Sequence, residues 1–161
     1  MVAVVRSIDI VPAPSSIPAI SSAPAIDDIQ QEIVDEFTAI DDALSEYELL
    51  LQYAASLPKM DAEAMGASHL VDGCQSKVWL KLERQGTRLS IEAESDTLII
   101  RGILCLLIKV LDKQPCAEIA KCNLFFLEKT NLLITFDDTR AAGIKAIERT
   151  IKKYCSSPDE I

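Results

Sequence analysis

The chain has 161 residues, 49% of them hydrophobic and 25% charged, with a net charge of −9. That is one globular domain's length with enough apolar residues for a core, and an acidic balance opposite to the clustered Lys and Arg that nucleic acid or anionic membrane partners demand. The longest apolar run, 98–111, is fourteen residues broken by Arg101 and Lys109, short of the ~20 a membrane span needs.

Residues 1–26 carry four prolines (Pro12, Pro14, Pro18, Pro24) and only Arg6 and Asp9 as charges before Pro24. Proline spacing of this kind excludes a helix or a central strand, and one arginine is too few for a transit peptide, so a disordered arm, or a start codon set too early, is expected. Asp27 or Asp28 can then cap a helix whose Ile29, Ile33 and Phe37 recur at helical spacing. Asp41 opens a second helix carrying Leu44, Tyr47, Leu50, Leu51 and Ala54, which ends at Leu57-Pro58. Between Asp27 and Glu63 stand eleven carboxylates and a single base, Lys59; a solvated acidic face is the simplest reading of that bias, and an acidic front that steers a basic partner is the other.

Residues 59–69 lack a period and form a loop. Residues 77–84 and 87–94 alternate in polarity around Gln85-Gly86, which predicts a hairpin with Arg84 facing Thr87 and Leu82, Leu80 and Val78 opposite Leu89, Ile91 and Ala93. Leu70-Val71 supplies a short third strand. Ser95 caps the next helix, with Asp96 in its first turn. This helix is apolar nearly all round and therefore central. Gly102 in its middle implies close packing against the sheet. Short helices follow at Pro115 and over 123–129, and Asp138 or Thr139 caps a last helix lined by Ile144, Ile147, Ile151 and Tyr154. The expected fold is α+β: a small antiparallel sheet of about three strands packed with several helices, forming one domain over 27–155 with a tail at 156–161.

Five cysteines, with no CxxC pair, argue against a disulfide framework or a structural zinc site, and for a reducing compartment such as the cytoplasm. Cys105 lies in the apolar run, Cys116 and Cys122 flank a short apolar segment, and Cys155 opens the tail. Cys74 alone sits in a polar loop next to a glycine, where a thiol can ionise and be reached. No metal ligand set and no resident cofactor are expected.

The segment His69-Leu70-Val71-Asp72-Gly73-Cys74-Gln75-Ser76-Lys77-Val78-Trp79-Leu80 resembles the signature of the SufE-type cysteine desulfuration proteins. The likeness continues through Ala93-Glu94-Ser95-Asp96, Arg101-Gly102 and Thr139-Arg140-Ala141-Ala142-Gly143-Ile144, roughly residues 30 to 153. It implies a fold similar to the cluster scaffold proteins. It also implies a sulfur acceptor that works with a pyridoxal-phosphate-dependent cysteine desulfurase, the PLP belonging to that partner. In this reading Cys74 takes the persulfide sulfur and passes it to an iron–sulfur scaffold complex. Gly73, Gln75, Ser76, Asp96 and Arg140 are the expected partner-binding positions. His69 replaces the family's usual asparagine, and Asp137-Asp138 replaces its Ser/Thr-Pro. A regulatory module that binds a desulfurase without carrying sulfur, and a thiol redox protein, are the competing classes. Three sources of Cys74 activation stay open: the Lys77 cation, backbone N–H groups of the Gly73–Gln75 turn, and the partner's own active site.

Overall fold

A computed structural model describes residues 24–132 and 137–158, so residues 1–23 of the expected arm and 159–161 of the tail lie outside the described residues. The two acidic amphipathic stretches form α1 (Ile26–Thr38) and α2 (Ala43–Ser56). Their starts differ from expectation by a residue or two. Ala25 precedes α1, which moves Asp27 and Asp28 into its first turn, where a carboxylate favours the helix dipole. Asp42, not Asp41, caps α2: its carboxylate accepts the Ser45 N–H at 2.8 Å. Two short 3-10 turns, Ala62–Ala64 and Ala67–His69, then lead to the sheet.

β1 (Val78–Gln85) and β2 (Arg88–Ser95) form the hairpin, but two residues away from the expected register. Gln85 faces Arg88, Leu82 faces Ile91, Leu80 faces Ala93 and Val78 faces Ser95. The turn is therefore Gly86-Thr87, not Gln85-Gly86. Gly86 has φ 67° and Thr87 is not in the left-handed region, which suits a turn with glycine at its first central position. A slip of two residues returns every side chain to the same face, so polarity alternation could not separate the two registers. Among the described residues the expected third strand shrinks to a single bridge between Leu70 and Trp79, and the sheet has two strands.

α3 (Leu98–Leu111) follows, with Thr97 and not Ser95 at its N-cap position and no side chain capping it; the Ser95 hydroxyl accepts the Thr97 N–H at 3.2 Å. Asp96 thus precedes the helix and is freed for another role. α3 is buried along most of its faces, as its apolar sequence requires. Gly102 faces α2 and not the sheet: a Cβ there would come within 2.6 Å of the Leu50 carbonyl oxygen. α4 (Cys116–Lys121), α5 (Phe126–Lys129) and α6 (Asp138–Ser156) complete the described elements. Asp137, not Asp138 or Thr139, caps α6 by accepting the Arg140 N–H at 2.9 Å. One contiguous core joins all layers, with Ile33, Phe37, Leu89, Ile103, Phe126 and Ile144 at its centre. The architecture is α+β.

Two arginines tie helix ends to the hairpin. Arg101 pairs with the buried Glu94 and donates to the carbonyls of Leu57 (2.8 Å) and Ala54 (3.3 Å) at the end of α2, the second of which also accepts the Leu57 N–H. Arg84 does the same for α6, donating to Ser157 (2.6 Å) and Cys155 (3.0 Å). Glu94 also accepts the Ser95 N–H at 2.9 Å. Burial pushes the Glu94 carboxyl up, but Arg101 and the neighbouring N–H groups outweigh it and hold the group below the usual range.

Candidate functional site

Cys74 lies on a loop, residues 72–77, that leaves and re-enters the structure at one place. Upstream, the Val71 N–H donates to the Val78 carbonyl at 2.8 Å. Downstream, the Lys77 N–H donates to Asp96 Oδ1 at 3.1 Å, and the Asp96 N–H donates back to the Lys77 carbonyl at 3.3 Å. The Thr97 hydroxyl lies within hydrogen-bond reach of Ser76 Oγ (2.8 Å) and Asp96 Oδ1 (3.1 Å). The residues just before α3 therefore fasten one end of the loop, and the start of β1 fastens the other.

Between these anchors the chain turns at Gly73, whose φ of 92° disfavours any residue with a Cβ. A side chain at Gly73 would also approach the Ala146 Cβ to 3.3 Å. The turn lays Cys74 against α6. Its thiol donates to the Gly143 carbonyl at 3.3 Å, and the residue is half-buried against the core. Burial pushes the Cys74 thiol up. The bond to Gly143 acts the same way, since only the protonated sulfur can donate it. Burial is the cause of that shift, and among the described residues no cation offsets it.

The expected site residues gather here. Gly73 and Cys74 touch α6, Ser76 and Asp96 meet through Thr97, and Gln75 is exposed in the loop. Arg140 stands three residues before Gly143 on α6, a single turn away along the same side. Asp137 neutralises the helix start through the Arg140 backbone, and the Arg140 guanidinium makes no ion pair with a described residue. His69 is occupied elsewhere: its Nδ1 donates to the Ala64 carbonyl at 2.7 Å and closes the preceding loop.

Sequence reasoning missed Gly143, Ala146 and Thr97. The small residues Gly143 and Ala146, three apart on one helix side, were the available signal of a close approach. It also overrated exposure as a criterion. Cys105 and Cys122 are half-buried like Cys74, and burial raises both of them. Cys116 and Cys155 are buried, and Cys155 is pushed up to about 12 by burial and by the Cys116 thiol beside it. What distinguishes Cys74 is its place on a loop beside a glycine turn, whereas Cys105 is fixed within α3 and Cys122 ends α4. Among the described residues no three His, Cys, Asp or Glu side chains gather as metal ligands, and no helix is long and apolar enough to cross a membrane.

A family model described as "SufE: Fe-S metabolism associated domain" matches residues 31–155. The chain is 27% identical over 127 residues to an uncharacterized SufE-like protein of Rhizobium etli, covering 76% of this chain and 86% of that one. It is 29% identical over 154 residues to SufE-like protein 1 of Arabidopsis thaliana, described as chloroplastic/mitochondrial, covering 91% of this chain and 42% of that one. A solution structure of a hypothetical protein from Thermus thermophilus superimposes with a TM-score of 0.66 at 17% identity, covering 79% and 93% of the two chains, which supports the fold. The chain belongs to the SufE family of domains associated with Fe–S metabolism.

Proposed function

We propose that this protein accepts sulfane sulfur from a PLP-dependent cysteine desulfurase on Cys74 and delivers it to an iron–sulfur scaffold complex. The reading rests on one observation above others: Cys74 sits on a glycine turn, fastened at both ends and folded against α6. A carrier needs a thiol that is sheltered between transfers and reachable during them, and this loop suits both demands.

The transfer is a thiol–disulfide exchange. The Cys74 thiolate attacks the terminal sulfur of the donor's Cys–S–SH. The donor's S–S bond breaks, its own thiolate leaves with the electron pair, and Cys74–S–SH forms with no net oxidation. Loss of that sulfur empties the desulfurase site and accelerates its turnover. In the resting fold the Cys74 sulfur is held protonated, so ionisation accompanies release from Gly143 and entry into the donor's site. Gly73 is the hinge for that release. Gln75, Ser76, Asp96 and Arg140 frame the surface the donor meets. The PLP stays with the donor. Five free cysteines suit the reducing cytoplasm, which we assign as the compartment; the Arabidopsis relative is described as organellar, and cell fractionation decides the point.

Mass spectrometry after incubation with a desulfurase and free cysteine tests the reading. One added sulfur atom on the Cys74 peptide is expected. Cys74→Ser should gain none and lose stimulation of the desulfurase. A serine variant that stimulates fully would instead identify a regulatory module that carries no sulfur.

A further inference from the structure

Of four large apolar side chains exposed among the described residues, Leu44 (68% exposed), Tyr47 (41%) and Leu98 (62%) stand in the N-terminal parts of α2 and α3, while Leu70 lines a separate cleft with Leu80 and Tyr154. Leu44 and Tyr47 are three apart and share one side of α2. Leu98 directly follows Thr97, which holds Ser76. Beside them opens a cleft of about 520 Å³ lined by Glu46, Tyr47, Leu50, Ile99, Asp137 and Arg140, among others. Glu46 Oε1 is shielded from solvent with no hydrogen-bond partner. An acceptor so placed is costly unless something donates to it. Across the cleft, the Arg140 guanidinium has no carboxylate partner among the described residues.

We infer that this cleft and its apolar rim are the anchor on which the sulfur-donating desulfurase docks. The occupant is a segment of that protein presenting an apolar side chain beside a basic group for Glu46 and a carboxylate for Arg140. The inference rests on the carrier reading above and names where that partner is held. Three arguments select this occupant. The cleft is continuous with the sulfur site: Arg140 is about 4.5 Å along the α6 axis from Gly143, which holds Cys74. A standard interface covers ~800 Å² per partner, a disc of about 16 Å radius, so a donor seated over Cys74 also covers the cleft. Finally, the surrounding α1–α2 surface carries most of the eleven carboxylates between Asp27 and Glu63, with Lys59 the sole base. Two copies of this chain facing each other would set like charges together, whereas a basic partner face is complementary.

The test is the affinity of the full-length chain for a recombinant PLP-dependent cysteine desulfurase from the same organism, read by calorimetry. Leu44→Ser/Leu98→Ser should raise Kd at least ~10-fold, as loss of an anchor does. Leu44→Ser alone, an exposed change on a helix surface, should raise it several-fold and covers the case in which the double variant folds poorly. Lys121→Ala on α4 should leave Kd unchanged. Double-variant binding within about twofold of wild type, or no binding by wild type, overturns the inference. So does a wild-type dimer in sedimentation that the double variant dissolves, since the patch would then be a self-interface. The carrier reading is judged separately by the added sulfur on Cys74: a wild type that gains sulfur while the double variant binds normally removes the anchor and keeps the carrier.

Discussion

The same substitution at two helical glycines should have opposite effects, and the difference measures how the site is built. In Gly143→Ala, a new methyl would lie 3.5 Å from Cys74 Cα and 3.6 Å from its Sγ, ordinary contact distances. Alanine in a helix interior is favoured over glycine by up to ~1 kcal/mol. The net expectation is a gain of about 1 kcal/mol, or a Tm rise of roughly 3–5 °C for a domain of this size. In Gly102→Ala the methyl would meet the Leu50 carbonyl oxygen at 2.6 Å and the Leu50 Cδ1 at 2.8 Å. Backbone cannot swing aside, and overpacking of about 1–3 kcal/mol outweighs the helix gain. Urea midpoints for the two variants supply both numbers. The functional consequence follows from the same geometry. A methyl at Gly143 braces the tucked thiol, so iodoacetamide should modify Cys74 more slowly in Gly143→Ala than in wild type. Should Gly143→Ala destabilise the fold as Gly102→Ala does, or speed alkylation, Cys74 does not rest against α6 with the room described above.

Arg101→Met removes the partner of a buried carboxylate and two helix-end donors, and should cost about 3–5 kcal/mol in chemical denaturation. Glu94 is held below its ordinary pKa in the fold, so its contribution is complete above the unfolded value of ~4.3 and is lost as pH falls through the lower folded one. The acid limb of a stability–pH curve should therefore be shallower in Arg101→Met than in wild type. Asp96→Ala deletes the acceptor for the Lys77 N–H and should speed Cys74 alkylation several-fold, with Cys105 unchanged as the internal reference and a stability loss of roughly 0.5–1.5 kcal/mol. In wild type, the Cys74 alkylation rate should still be climbing steeply at pH ~8.5, where an unperturbed thiol is about half ionised.

The elements of this fold were legible because each stretch carries one clear period: 3.6 in α1, α2 and α6, and 2 in the hairpin. What alternation cannot encode is a shift by two, so the β1–β2 register had to be settled by Gly86, whose positive φ puts it first in the turn. Caps moved by one or two residues wherever acids or hydroxyls are adjacent, as at Asp41-Asp42, Asp137-Asp138 and 95–97. Gly102 announced a close approach but not its partner, because a helix apolar all round gives no direction. At the site, Cys74 and its neighbours were legible as a local motif. Its rest position against Gly143 was not, being a contact across 69 positions of chain.

The span between Val71 and Val78 sets a limit on how far Cys74 can reach. Their backbones are hydrogen-bonded, so the six residues in between form a short tether with both feet planted side by side. Fully stretched outward and back, such a tether extends about 10 Å. If Cys74 carries sulfur as proposed, this tether cannot ferry it across a gap between distant stations: each handover would bring a second macromolecule to the doorstep, and the traveller would be the entire folded body.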